Sequence, residues 1–303
     1  MRFSLWPNPE RTYAETRALV LQAEAAGWHA AYVADHFMDD KPIGEPATVA
    51  MLESTSTMAA LAEATSSIRL GTLVASATYR HPAVLAAWAA TVDQISDGRV
   101  ILGLGAGWQI NEHHAYGIEL GEVRTRIDRF AEYVSVVQSL LSGGTTTFDG
   151  TFFRLEDAPC EPGPVQQPLP LLLGVKGERR TMALAAQHAS IWNSWCTPEE
   201  LRHRNAVLDR HCDTIGRDPS EIQRTTQALV IVTSTEEQGA RLRSQSAGRP
   251  LLAGTATQLI EQLGDYVDSG CDEFIVPGWT LGAGDAPMDA IALLSEAVLP
   301  EFA

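Results

Sequence analysis

Arg99-Val-Ile-Leu-Gly-Leu-Gly-Ala-Gly-Trp-Gln-Ile-Asn-Glu112 is the stretch on which the reading of this chain turns. It opens with a short apolar run, 100–104, of the kind that makes a buried strand. Gly103, Gly105 and Gly107 fall at every second position, and Trp108, Asn111 and Glu112 follow. The spacing leaves two readings open. Glycines past a strand let a flat or phosphorylated ligand approach the main chain closely, or they thin a strand end that is otherwise crowded. The pattern is not the dinucleotide fingerprint G-x-G-x-x-G, because the third glycine arrives one residue early and no clear helix opens at once.

Working outward, the same strand-then-helix rhythm recurs on both sides. Residues 2–6 read as a strand, and 12–26 as a helix stopped at Gly27. A strand at 30–34 leads into Asp35-His36-Phe37, a polar loop over 38–47 and a helix over 49–64. A strand at 68–75 precedes a helix that starts at Pro82, a favourable first helical position. Val123–Leu141 is a long amphipathic helix. Residues 145–168 break the rhythm with a hairpin turning at Asp149-Gly150 and a Pro-rich connector. The alternation then resumes with strands at 171–173, 189–193, 224–232 and 273–276 and helices at 179–187, 199–215, 257–269 and 288–299. Residues 234–256 are polar, with helical and Gly/Pro elements that periodicity does not place. Continuous apolar strands separated by helices are the mark of a parallel sheet covered by crossovers. About eight such units over 1–303, with no linker-like change of composition, predict one (β/α)8 TIM barrel with an insertion at about 145–168. The rival, an open doubly wound sheet, needs fewer units or a second domain.

Composition narrows the function classes. Lys and Arg number 22 against 38 Asp and Glu, a net charge of −16, which argues against nucleic acid and against a basic membrane-binding face. No apolar run reaches the roughly 18 residues of a membrane span. The strand-like start leaves no secretory leader to expect. Cys160, Cys196, Cys212 and Cys271 are scattered without a C-x-x-C and read as reduced thiols of a cytoplasmic protein.

In a barrel, functional residues gather on the loops after the strands' C-terminal ends. That rule collects Asp35-His36, the run from Ser76 to His81, Gly105 to Glu112, Gly174 to Arg180, and Trp192 to Trp195. Gly174-Val175-Lys176-Gly177 followed by Arg179 and Arg180 has the parts of an anion site: glycine N–H groups, a helix opening, and one of the chain's two lysines. It is no Walker loop. His36 beside Asp35 reads either as a proton donor or acceptor with its tautomer fixed by the carboxylate or as a hydrogen-bonded histidine of the barrel rim. Glu112-His113-His114 is not expected to hold a metal, since adjacent side chains on a helix diverge. Asp97-Gly98 is a turn feeding the fourth strand. No G-x-S-x-G elbow is present.

Several of these segments together resemble the luciferase-like monooxygenase superfamily and, within it, the coenzyme F420-dependent oxidoreductases. The resemblance runs through most of the chain. It is carried by Ala25-Ala-Gly-Trp-His-Ala-Ala-Tyr-Val-Ala-Asp-His36, Ile68-Arg-Leu-Gly-Thr72, Arg80-His-Pro-Ala-Val84, Leu102 to Glu112, Gly117-Ile118 and Pro164-Val-Gln-Gln-Pro168. It implies a barrel, often a homodimer, with a flavin or deazaflavin at the strand C-termini. His36 matches the active-site histidine of several F420-dependent members, with Asp35 beside it. Val74 and Ser76 match residues lining the ring, at a site that often carries a cis non-prolyl peptide, here Leu73–Val74. Ala106, Gly107 and Asn111 match positions touching the ring or ribityl chain, and Gly174 to Arg179 match the phosphate loop. Two departures stand out. Relatives have a run of glycines where this chain has Gly174-Val-Lys-Gly177. Trp108 replaces a glutamate of sugar-phosphate-oxidising members, which speaks against that substrate and for an aromatic wall. The resemblance thus implies F420, with FMN as the alternative. On that reading Trp6, Tyr79, Trp108 and Trp195 are expected to wall a small-molecule substrate, and loops 37–47, 145–168 and 240–256 to cover the pocket.

Overall fold

Eight of the sequence's short runs form parallel strands that close on themselves. They are β1 (Arg2–Trp6), β2 (Ala30–Val33), β3 (Arg69–Thr72, resumed at Ala75–Ser76), β4 (Val100–Gly105), β5 (Leu171–Gly174), β6 (Ile191–Trp195), β7 (Gln223–Gln227) and β8 (Glu273–Pro277). The computed structural model describes all residues except 50, 247, 283 and 303. Neighbours pair in chain order, and β8 returns to β1 with Arg2 opposite Glu273 and Trp6 opposite Pro277. Because the first and last strands pair, no edge remains, and the fold is the expected (β/α)8 barrel rather than an open sheet.

Ten α-helices accompany the strands among the described residues: α1 (Tyr13–Ala25), α2 (Ser54–Ala64), α3 (Pro82–Ile95), α4 (Ile110–Tyr116), α5 (Val123–Leu141), α6 (Thr181–His188), α7 (Pro198–Ile215), α8 (Glu236–Gln245), α9 (Ala256–Val267) and α10 (Ala286–Ala297). Their ends follow side-chain chemistry. Thr12 and Glu15 form a capping box before α1, and Gly27 follows it at φ +77°. The His81 imidazole accepts the Ala83 N–H at the start of α3, one residue before Pro82. The expected helix over 49–64 begins only at Ser54, because the Glu53 carboxylate accepts the Thr55 and Ser56 N–H groups and so caps it there. α4 was not expected: it follows the Gly-rich stretch after a four-residue turn.

Two layers of packing result. Leu, Val, Ala and aromatic side chains fill the space between barrel and helices. A smaller interior core stacks Ala30, Tyr32, Ile101, Leu172, Ile191 and Ile275, with Leu73, Val74 and Trp6 above them. Side chains alternate along β4, so Ile101, Gly103 and Gly105 share the interior face. A Cβ on Gly103 would overlap the Thr72 carbonyl oxygen, and one on Gly105 would come within 2.5 Å of Val74 Cγ2. These glycines make room for the strand next door and for Val74, which is the crowding reading of the G-x-G spacing.

The excursions sort by face. Strands Thr145–Asp149 and Arg154–Pro159 form the expected antiparallel hairpin. The Glu132 carboxylate of α5 accepts the N–H groups of Thr151, Phe152 and Phe153, so the hairpin lies back along that helix. Gln166 bonds Asp93 and the Val100 carbonyl at the opposite end of the barrel from the mouth. Residues 145–168 therefore flank the wall and seal the bottom, and do not cover the pocket as expected. The run 224–232 is two strands: after β7 the chain leaves the barrel as Leu229–Val232, which pairs in parallel with Leu251–Gly254. α8 lies between them, and this excursion belongs to the mouth.

Candidate active site

Val74 is the floor of the mouth. The Leu73–Val74 peptide is cis, as the resemblance implied. A Cβ on Gly174 would come within 2.8 Å of Val74 Cγ1, so glycines from β4 and β5 both face this one side chain. Leu73 is buried below it.

His36 stands on the rim in the loop after β2. Its neighbour Asp35 does not hold it. Asp35 is buried and accepts the Ser54 hydroxyl at 2.6 Å, the Ser76 N–H at 2.8 Å and the Arg80 guanidinium at 2.7 Å. Its oxygens tie the loops after β2 and β3 together and are not turned to a ligand. The carboxylate at His36 is Glu112, whose Oε1 lies 2.8 Å from His36 Nδ1 while Oε2 accepts the Phe37 N–H at 3.0 Å. Tyr79, expected as a pocket wall, donates its hydroxyl to the same Oε1. Trp108 stands edge-on to the His36 ring at 5.4 Å and is 53% exposed, as an open wall beside the histidine.

The remaining rim residues are fixed by polar contacts. Ser76 Oγ meets Thr78 Oγ1 at 2.6 Å, and Thr78 meets His113 Nε2 at 2.7 Å. Gly107 sits at φ +83° where a Cβ would strike Thr78, so this third glycine of the motif is demanded by its own backbone. Ala106 packs partly buried beside it. His113 thus belongs to a structural network, and no cluster of three metal-ligating side chains occurs among the described residues. Asn111 donates Nδ2 to the Asp39 carbonyl at 2.8 Å, but its Oδ1 is buried without a partner. Trp6 Nε1 is buried and unpartnered as well. Unsatisfied buried polar atoms are uncommon and call for an explanation such as a bound group.

The loop after β5 sits next along the rim. Lys176 and Arg179 are exposed and make no ion pair among the described residues. Arg180 is paired with Asp128 of α5. The Gly177 N–H is taken by the Thr181 hydroxyl at 3.0 Å, so this turn offers fewer free donors than its glycines suggest. Val175 is buried, its carbonyl accepting the Trp192 indole N–H at 2.8 Å.

Across the mouth lies an aromatic cluster. Trp6 at the end of β1 and Trp195 at the end of β6 have ring centroids 6.2 Å apart. Trp279, which the sequence reading missed, is 4.9 Å from Trp6 and 6.2 Å from Trp195. Applied to the eighth strand, the rim rule would have found it, since it follows β8 by two residues. The Arg249 guanidinium lies 4.9 Å from the Trp195 ring centre and 6.0 Å from that of Trp279. The mouth therefore has a histidine side with a valine floor and a tryptophan side closed by a cation.

The residues present fit a flat ring with an anionic tail: an apolar floor at Val74, an unpartnered amide oxygen at Asn111 after the next strand, and two cations without an ion pair among the described residues on the turn after β5. The luciferase-like monooxygenase family model matches residues 1–247. The pyrimidine monooxygenase RutA of Yersinia enterocolitica is 32% identical over 230 residues, which take in 73% of this chain and 60% of that protein. The chain thus spans about three fifths of the length of that relative. The F420-dependent glucose-6-phosphate dehydrogenase of Kineococcus radiotolerans is 34% identical over 284 residues, 82% of each chain. The coenzyme F420-dependent tetrahydromethanopterin reductase from Methanopyrus kandleri shares the fold, with a TM-score of 0.84, 18% identity and coverage of 100% of this chain and 99% of that one. With a family model spanning most of its length and a curated relative aligned over 82% of it, the chain belongs to the luciferase-like monooxygenase family.

Proposed function

We propose that the protein is an F420-dependent oxidoreductase that moves a hydride between the deazaflavin and a small organic substrate. The observation that supports the reading is that His36, Val74, Asn111 with its unpartnered oxygen, and the Lys176 turn follow β2, β3, β4 and β5, and so leave the barrel at the same end of its strands. The named activities of an aligned relative and of a structural neighbour support it. Bound deazaflavin supplies a ring carbon that accepts or donates hydride and does not otherwise need oxygen.

The chain's own part is positioning and proton handling. Val74 would support the ring from below, with Ser76, Ala106 and Gly107 along its edge and Asn111 Oδ1 accepting from it. Gly174 to Gly177, with Lys176 and Arg179, would hold the phosphate and acidic tail. His36 would give or take the proton that accompanies hydride transfer, and Trp6, Trp108 and Trp195 would enclose the substrate. The reading extends, on the resemblance, to a cytoplasmic homodimer. No helix among the described residues is long and apolar enough to cross a membrane.

The test is a calorimetric titration with F420 and with FMN, followed by turnover on a panel of small hydride donors and acceptors under an oxygen electrode. Saturable F420 binding and turnover without oxygen uptake support the reading. FMN binding with oxygen consumption favours a flavin monooxygenase instead, and binding of neither overturns both. In His36→Ala, cofactor affinity should stay within about twofold while turnover falls by roughly 10²–10⁴, the usual contribution of a general acid or base. Unchanged turnover removes His36 from the chemistry.

A further inference from the structure

We propose that Glu112 and Tyr79 are a positioning pair for His36: Glu112 fixes the imidazole with its proton on Nδ1, and Tyr79 sets how strongly that carboxylate pulls. Nε2 is then the nitrogen offered to the reacting group. The inference rests on the reading of His36 as the proton partner of hydride transfer.

The geometry allows one neutral tautomer. Glu112 is 1% exposed, and its contacts are the Phe37 N–H at one oxygen and His36 Nδ1 with the Tyr79 hydroxyl at the other. An ionised carboxylate only accepts, so Nδ1 donates, and in the neutral ring Nε2 is left with its lone pair. The Phe37 bond pins the carboxylate in rotation, so it cannot follow another donor without losing a backbone partner. Burial pushes the Glu112 carboxyl up, but the hydrogen bond and charge of His36, the Phe37 N–H and the Tyr79 hydroxyl outweigh it and hold the group below the ordinary range. Burial, then the hydrogen bond to Glu112, push the Tyr79 phenol far up, so it remains a donor. Asp35 acts on Tyr79 in the same direction and Arg80 against it, and the His113 ring lies 5.0 Å away. Trp108 faces His36 from the open side and carries no charge. During turnover, Nε2 takes a proton from the reacting group or returns one to it, while Glu112 stays ionised.

The two members act on His36 in opposite senses. Removing the carboxylate's charge weakens the hold on the imidazolium. Removing the tyrosine hydroxyl frees Glu112 Oε1 from a competing donor and strengthens that hold. Nitrogen-15 NMR on histidine-labelled, cofactor-free protein reads both the tautomer and the pH midpoint of each ring, with His36→Gln identifying the signal. The wild type should show the Nδ1–H tautomer at His36. Glu112→Gln should lose that preference and lower the midpoint by about one pH unit, the size of shift a single close charge commonly gives. Tyr79→Phe should keep the tautomer and raise the midpoint by a few tenths of a unit. A wild-type Nε2–H tautomer, or midpoints that move together or not at all, overturns the pairing. If Glu112→Gln does not fold, Tyr79→Phe alone decides by the presence or absence of its upward shift. Failure of F420 to bind wild type, with the NMR results as expected, removes the functional reading and leaves the pair standing.

Discussion

Gly103 shows how much a single missing side chain decides. The residue lies on the inner face of β4, where a methyl group would overlap the Thr72 carbonyl, and the Thr72 hydroxyl donates to the Gly103 carbonyl at 2.8 Å. The carbonyl is main chain and not the free end of a flexible side chain, so the two strands must separate to admit the methyl group. Gly103→Ala should therefore destabilise the fold by about 3 kcal/mol or more, in the upper part of the range for point substitutions. Gly264 is the control: it lies within α9 with nothing near its added methyl. Gly264→Ala should stabilise by about 0.5–1 kcal/mol through helix propensity. Denaturant midpoints of the two variants, read against wild type, check the pair. Equal effects would mean that β4 is not packed against Thr72 in this way. His36 and Asp35 teach a related lesson. Adjacent in sequence, they were expected to pair, yet a strand exit turns neighbours to different sides, and the carboxylate that reaches His36 comes from 76 residues away. Spacing along the chain carries no sign of that contact. The rim rule did name Glu112, because it places the exits of β2 and β4 on one face.

At the scale of elements, the sequence was legible wherever periodicity and punctuation agreed. Val123–Leu141 has the expected bounds because its apolar stripe runs unbroken to Gly143-Gly144. The start of α2 was misplaced because alanine, leucine and methionine continue the pattern upstream of the residue that caps it. Glu53 does that work from an acidic side chain, and Arg80 adds an ion pair. Burial pushes the Glu53 carboxyl up, but the Ser56 N–H and Thr55 contacts outweigh it and bring its pKa down to about 2. A carboxyl lowered on folding stabilises above its unfolded value of 4.5 and loses that contribution as pH falls towards 2. Glu53→Gln should accordingly melt several degrees below wild type at neutral pH, and the gap should narrow as the pH is lowered through 4. A gap that does not change with pH would place the contribution in packing rather than in charge. The segment 234–256 was illegible for a different reason. α8 is polar, with Gly239 its one buried residue, and Leu251–Gly254 gains its strand character only by pairing with Leu229–Val232.

The whole molecule joins segments from its length at one end of a closed barrel. β1, β6 and β8 contribute the tryptophan side, and β2, β3 and β4 the histidine side, with Arg249 returning from the α8 excursion to the aromatic cluster. The other end is sealed by Gln166 and by the wholly buried Glu273, which accepts hydroxyls from Ser4 and Tyr32. That division makes the mouth the place for chemistry and the bottom a place for stability, as in barrels generally. The central claim is that a deazaflavin ring lies on Val74, against His36, with its acidic tail at the turn around Lys176. A crystal structure of the protein soaked with F420 tests it most directly. The account predicts ring density in contact with Val74, with His36 Nε2 directed at the space between the ring and Trp108, and phosphate density at Gly174 to Gly177. Density for the cofactor on any other face, or an empty mouth at saturating F420, would contradict it.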